Sequence, residues 1–182
     1  MRVIAGKYRR LTLNTIKGDN TRPTTDRIKE TLFNIIRDEV DGSNFLDLFA
    51  GSGQIGIEAL SRNAISVTFV DNNRKAIECI NENLDKCHIK EDVTVIQGSC
   101  MTTLKRLDDK CFDIIFMDPP YRMGLEKDIL SYLSDNTVIK EGGLVIIESD
   151  LDTEFEYINN LNFELIQDKK YKTNRHLFLR KL

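Results

Sequence analysis

The chain has 182 residues, 26 Lys+Arg against 29 Asp+Glu, a net charge of -3 and a pI near 5.5. At roughly 150 residues per domain this length implies one domain, able to bury about 70% of its unfolded surface without disulfides or metal. The 41% hydrophobic and 30% charged content excludes disordered, collagenous and membrane classes, and no apolar run reaches the roughly 18 residues of a membrane span.

The first segment, residues 1–13, reads as a basic strand or hairpin, and its start at Met1-Arg2-Val3-Ile4 has no signal-peptide core, which points to the cytoplasm. After a polar loop, Thr24-Thr25-Asp26 can cap a helix whose apolar face is Ile28, Leu32, Phe33, Ile35 and Ile36. Phe45–Phe49 is a short apolar run that stops at Gly51-Ser52-Gly53, and helix-period residues follow through Ile57, Leu60 and Ala64. Val67–Val70 is a second strand, ending in the helix-capping Asp71-Asn72-Asn73, with Ala76, Ile77, Ile80 and Leu84 at helical spacing beyond it. Val93–Ile96 and Phe112–Met117 are strands three and four, and Gly142-Gly143 introduces a fifth, Leu144–Ile147. Strands alternating with helices, with continuous Val/Ile/Phe runs, predict an α/β, doubly wound and mostly parallel sheet covered on both faces. Phe163–Ile166 and Leu177–Leu179 read as a closing antiparallel hairpin around Lys172-Thr173-Asn174, which brings the count to seven strands. The division expected is a basic N-terminal extension over 1–23 and a catalytic domain over 24–182.

The net charge hides an asymmetry. Residues 1–30 carry eight Lys/Arg against three Asp/Glu, and residues 168–182 carry six against one, so each end has a balance of +5. The stretch between them, with 12 against 25, is -13. A solvated charge run explains such an asymmetry; two ends folded onto one face would instead make an electrostatic footprint for phosphates. Cys79, Cys87, Cys100 and Cys111 contain no C-x-x-C pair, and His88 and His176 are the only histidines, so no metal site is expected and the thiols read as reduced.

Chemistry concentrates at two strand ends. Gly51-Ser52-Gly53-Gln54-Ile55-Gly56 fits G-x-G-x-x-G between a strand and a helix, where glycine lets the backbone approach a ligand and the helix N-terminus offers free N–H groups. Asp71, 20 residues past Gly51, stands where a carboxylate reaches ribose hydroxyls. The loop alone does not separate a dinucleotide from S-adenosylmethionine. Asp47, inside the first strand, either receives the ammonium of a methionine moiety or bonds local backbone. At the end of the fourth strand, Asp118-Pro119-Pro120-Tyr121 holds two of the three prolines. Proline lacks an N–H and fixes φ, so the pair makes a stiff turn. Asp118 and the Pro119 carbonyl can each accept one proton of an exocyclic –NH2, which aims the nitrogen lone pair at an electrophile, and Tyr121 can stack on the ring.

These residues resemble the class I S-adenosylmethionine-dependent amino-methyltransferases. Arg2–Tyr8, Thr21–Arg27 with Glu30 and Phe33-Asn34, Asp47–Gly53 continuing to Glu58–Arg62, and Asp118–Tyr121 narrow the resemblance to the 16S rRNA (guanine-N2) methyltransferases. The resemblance implies a Rossmann-like fold and a cofactor seat at Asp47, Ala50, Gly51, Ser52, Gly53, Gly56, Asp71 and Asn72. It places the adenine near Ser99 and Cys100, where relatives often carry Asp in place of Ser99. It also implies catalysis at Asp118, Pro119, Pro120 and Tyr121, and RNA contacts from Lys7, Arg9, Arg10, Arg22, Lys172 and Arg175, with Lys169 and Lys170 beside them. Arg10, Leu11 and Lys172 depart from the family's pattern in those RNA-contact segments. The implied partner is 16S rRNA or the small ribosomal subunit particle, and the implied state a monomer with no membrane association. The rival readings are an adenine-N6 DNA methyltransferase or a protein glutamine methyltransferase with the same clamp, a nicotinamide-dependent dehydrogenase, which leaves Asp118–Tyr121 idle, and a non-enzymatic ribosome-assembly factor.

Overall fold

Strands with apolar side chains on both faces must be covered on both faces, and the central runs of this chain are of that kind. In the computed structural model, which describes residues 1–16, 25–107, 111–120 and 123–182, they form β1 (Asn44–Leu48), β2 (Ser66–Asp71), β3 (Asp92–Gln97), β4 (Phe112–Met117) and β5 (Ile139–Asp150). With β6 (Phe163–Lys170) and β7 (Asn174–Lys181) they make a seven-stranded sheet in the order β3-β2-β1-β4-β5-β7-β6. The first five strands are mutually parallel, and β7 runs antiparallel to both β5 and β6. Strand order reverses between β1 and β4, which opens a crevice outside their C-terminal ends.

One sheet face packs against α1 (Asp26–Ile35), α2 (Arg37–Val40), α3 (Gln54–Ser61) and α4 (Arg74–Lys86), and the other against α5 (Cys100–Leu104) and α6 (Leu125–Asp135). Thr25 caps α1 by accepting from Ile28 N–H at 3.4 Å, and Asn73 caps α4 by accepting from Lys75 N–H at 2.9 Å. Leu32, Phe33 and Ile36 of the predicted α1 face are buried, whereas Ile28 and Ile35 are half-buried. A lysine, Lys29, holds the remaining inward position at 0% exposure.

Two boundaries differ from the sequence reading. β5 starts at Ile139 rather than after the glycine pair, because Lys140–Gly143 bulge out where the register against β4 jumps, with Gly142 at φ +72°. The last hairpin turns over 171–173, and Asn174, expected in the turn, is a buried residue of β7.

Residues 1–13 do form a hairpin: Val3 N–H donates to Leu11 O at 2.9 Å, Arg10 N–H to Val3 O at 2.9 Å and Leu13 N–H to Met1 O at 3.0 Å. It is bound to α3. The Glu58 carboxylate accepts from Ile4 N–H at 2.8 Å and Ala5 N–H at 3.1 Å, while Lys7 N–H reaches Ser61 O at 2.8 Å. Gly6 makes this approach possible, since a Cβ there would sit 1.7 Å from the Ser61 carbonyl oxygen and its φ is +82°. Glu58 also pairs with Lys29 at 3.4 Å and Arg62 at 2.9 Å, and Lys29 Nζ donates to Arg2 O at 2.7 Å. Burial lowers the Lys29 pKa, and the Glu58 charge opposes that fall.

Removing one partner of such a buried pair leaves an uncompensated charge. Glu58→Ala is therefore expected to cost about 3–5 kcal/mol in urea unfolding, with part of that recovered by adding Lys29→Met. A loss below about 1 kcal/mol would show that the pair does not hold the hairpin.

Candidate active site

The glycine loop joins β1 to α3 above the crevice. Gly51 and Gly53 take φ of +55° and +77°, and a Cβ on Gly51 would meet nothing within 4 Å, so its backbone fronts open space. Gly56 serves packing instead: a Cβ there would lie 2.3 Å from the Phe69 ring. Gly53 faces Phe69 and Ile80 in the same way at 3.3 and 3.2 Å. Of the three glycines expected to approach a ligand, two seat the loop and its helix on β2 and α4. Ala50 and Ser52 are buried, and Asn72 is exposed beyond the tip of β2.

Asp71 organises the loop through both oxygens, accepting from Gly51 N–H and from Asn73 N–H at 2.8 Å each. Asp47 is 1% exposed and accepts from Gly56 N–H at 2.9 Å, at the N-terminal turn of α3 where amide donors have no helical partner. Burial pushes the Asp47 pKa up to about 7, against the pull of the Gly56 N–H and with a further rise from the Asp71 charge. Of the two readings of Asp47, the bond to local backbone is the one present, through Gly56 N–H.

Asp118 follows the last residue of β4, with Pro119 buried and Pro120 exposed after it; Tyr121 lies outside the described residues. Burial raises the Asp118 pKa well above the usual carboxylate range, and the charges of Glu148 and Asp47 add to the rise. Glu148, on β5, had no place in the sequence reading. It is 4% exposed and accepts from Asn174 Nδ2 at 2.5 Å and from His176 Nε2 at 3.0 Å. His176 is fully buried among Phe116, Tyr171 and Phe178, with Tyr171 Oη 3.4 Å from its Nδ1. The available signal was a charged residue ending the apolar run Leu144–Ile147, with a lone histidine two positions before Phe178. Asn174 Oδ1 is buried with no hydrogen-bond partner among the described residues, a cost of about 1–3 kcal/mol unless a ligand or water meets it.

Ser99 caps α5: its hydroxyl donates to Thr102 Oγ1 at 2.8 Å and accepts from Thr102 N–H at 3.4 Å, beside a buried Cys100. Among the described residues no group of three or more His, Cys, Asp or Glu could hold a metal ion.

The basic ends do not share one face. Lys7 bonds the end of α3, and its Nζ and Tyr8 Oη bond Glu91 at 3.1 and 2.6 Å, just before β3 begins. Lys7, Arg9 and Arg10 therefore lie at the N-terminal edge of the parallel strands, roughly 20 Å of strand length from Asp118. The turn 171–173 lies at the other edge, since Asn174 pairs with Asp150, and it carries exposed Lys170 and Lys172 with half-buried Lys169. Arg175, expected to contact RNA, is 12% exposed at its side chain and committed to the protein: it pairs with Asp168 at 3.3 Å, donates to Thr153 O and stacks over Phe155 at 5.0 Å. Arg22 lies outside the described residues.

Residues 1–180 match the family model described as conserved hypothetical protein 95. The chain is 37% identical over 172 residues to the ribosomal RNA small subunit methyltransferase D of Haemophilus influenzae, covering 93% of this chain and 88% of that one. To the protein of the same name in Escherichia coli K12 it is 34% identical over 152 residues, 84% of this chain and 76% of that one. A solved structure of the Escherichia coli protein yhhF, provisionally described as a methyltransferase, superposes with a TM-score of 0.85 at 30% identity, over 100% of this chain and 97% of that one. The fold is thus the Rossmann-like one of class I methyltransferases, as expected from the sequence.

A carboxyl whose pKa is raised on folding favours the fold at low pH and loses that advantage as pH rises through its folded value. Between pH 5 and pH 8 the wild type should lose about 2–3 kcal/mol relative to Asp47→Asn in urea unfolding. Parallel pH profiles would contradict the burial of an ionisable Asp47.

Proposed function

This chain belongs to the conserved hypothetical protein 95 family, together with the ribosomal RNA small subunit methyltransferases D, and from that premise we propose that it methylates the exocyclic N2 of a guanine in 16S rRNA, with S-adenosylmethionine as the methyl donor. The observation that carries the reading is Asp118, a half-buried carboxylate on a rigid proline turn at the crevice where strand order reverses.

The residues present fit that donor. Gly51 fronts open space, Asp71 stands at the β2 tip and Asp47 is buried behind the loop. Gln54 Oε1, at the start of α3, is buried without a hydrogen-bond partner among the described residues. Asp71 would hold the ribose hydroxyls, Asp47 the ammonium, and the segment at Ser99 and Cys100 the adenine. When bound, S-adenosylmethionine supplies an electrophilic sulfonium methyl. The chain's own residues supply placement: Asp118 and the Pro119 carbonyl would accept hydrogen bonds from the two N2 N–H groups and turn the nitrogen lone pair toward the methyl, Tyr121 would stack on the base, and the N2 loses one of its protons once it carries the methyl. The base must leave its stack to arrive, which costs a few kcal/mol that Tyr121 offsets. Catalysis then rests on orientation.

The exposed cations of the β6–β7 turn, at the same sheet edge as Asp118, would grip phosphates beside the target. Lys7, Arg9 and Arg10 would meet a different part of the RNA, so the partner must be large enough to reach both edges, as 16S rRNA or the small-subunit particle is. A monomer working in the cytoplasm fits this arrangement.

The test is transfer of labelled methyl to small-subunit particles. Asp118→Ala should lower turnover by at least about a hundredfold, the scale of a misplaced reactant, while donor affinity stays within about twofold of wild type. Wild-type turnover in that variant would sink the amine clamp.

A further inference from the structure

The glycine loop is gripped from α4 as well as from β2, by a residue with no place in the site described above. Asn83, in α4, is fully buried. Its side-chain amide is bonded to backbone through both polar atoms. Nδ2 donates to Ser52 O at 2.9 Å and to Asn14 O at 3.2 Å, and Oδ1 accepts from Asn14 N–H at 2.7 Å. Two carbonyls and one N–H call for two donors and one acceptor on a planar group, which is what an asparagine side chain carries. An aspartate of the same shape would turn a second oxygen toward both carbonyls.

The two segments that Asn83 joins are held differently. Asn14, where the chain leaves the hairpin, has bonds of its own to α4: its Nδ2 donates to Glu82 at 3.0 Å, and Lys86 Nζ donates to its Oδ1 at 3.1 Å. In the loop, the Ser52–Gly53 peptide is held at both ends, its carbonyl by Asn83 and its N–H by Ala50 O at 2.7 Å. Gly51, just before it, has the backbone that fronts open space. Resting on the donor seat read above, we infer that Asn83 is a positioning residue for S-adenosylmethionine, fixing the Ser52 carbonyl and with it the plane of the peptide beside the one that meets the donor. A loop already in its binding shape loses little conformational freedom when the ligand arrives. Asn83 touches no reacting atom, so its effect falls on donor affinity and not on the chemical step.

The experiment compares wild type with Asn83→Asp, which is nearly isosteric, keeps an acceptor for Asn14 N–H and loses both donors. Asn83→Ala, which adds no charge, is the second variant. Titration calorimetry with S-adenosylhomocysteine should give both a dissociation constant about tenfold or more above wild type, with a stoichiometry still near that of wild type. On small-subunit particles, KM for S-adenosylmethionine should rise alike while kcat at saturating donor stays within about threefold. Asn14→Ala, which removes the bonds to Glu82 and Lys86 and leaves Ser52 alone, should bind within about twofold of wild type. A merely structural role would lower the stoichiometry as part of the sample unfolds and leave the affinity of the rest unchanged. That result overturns the inference, as does a loss in Asn14→Ala equal to that in Asn83→Asp. In the wild type, donor and the Asn83 bond must reinforce each other. S-adenosylhomocysteine should therefore slow hydrogen exchange at Asn83 Nδ2 more than at the backbone N–H groups of β7, and equal slowing overturns the inference even if neither Asn83 variant folds. If wild type binds no S-adenosylhomocysteine, the donor reading itself fails and takes this inference with it.

Discussion

The Glu58 carboxylate has no exposed surface, and four donors from three parts of the chain converge on it: Ile4 N–H, Ala5 N–H, Lys29 and Arg62. A charge in that position is tolerable only when it is paired and its remaining acceptor sites are hydrogen-bonded. The N-terminal hairpin is therefore part of the electrostatic closure of the core, and its docking fixes α3 from one side. Asp47 fixes the same helix from the other, through Gly56 N–H. Between these two carboxylates α3 has little freedom, and the glycine loop that leads into it inherits a set position over the crevice. The proposed methyl-donor seat thus depends on a contact at residues far from it in sequence.

Most of the fold was legible because the sheet is built from continuous apolar runs, whose meaning does not depend on their neighbours. Apart from the bulge at the start of β5 and the packing role of Gly53 and Gly56, the departures come from polar residues whose burial is decided by a distant partner. Lys29 occupies an inward position on the helical wheel that its residue type assigns to solvent, and it is buried there because Glu58 pairs with it. Asn174 resembles a turn residue and is a strand residue, because Glu148 takes its amide. Arg175 resembles a phosphate contact and is a structural cation for the same kind of reason. Asp118 and the glycine loop were visible as local motifs, whereas Glu148 and His176, 28 residues apart, acquire meaning only through strand register.

The charge pattern is sharpened in a similar way. One footprint would require the two basic ends on one face, and the sheet separates them to opposite edges. Arg175 is bound to the protein, Arg180 pairs with Glu39 and Lys181 is buried against the end of α6, which leaves Lys169, Lys170 and Lys172 as the tail's contribution beside the crevice. Within the acidic middle of the chain, Asp47, Asp71, Asp118 and Glu148 all stand at the C-terminal edge of the strands. Negative charge marks the proposed site, and positive charge lies beside it and at the far edge.

Small-subunit rRNA taken from cells lacking this protein, digested to nucleosides and measured by mass spectrometry against the wild type, tests the central claim most directly. One N2-methylguanine should be missing, and it should return when the protein is supplied again. An unchanged complement of N2-methylguanine would contradict guanine N2 as the target of Asp118.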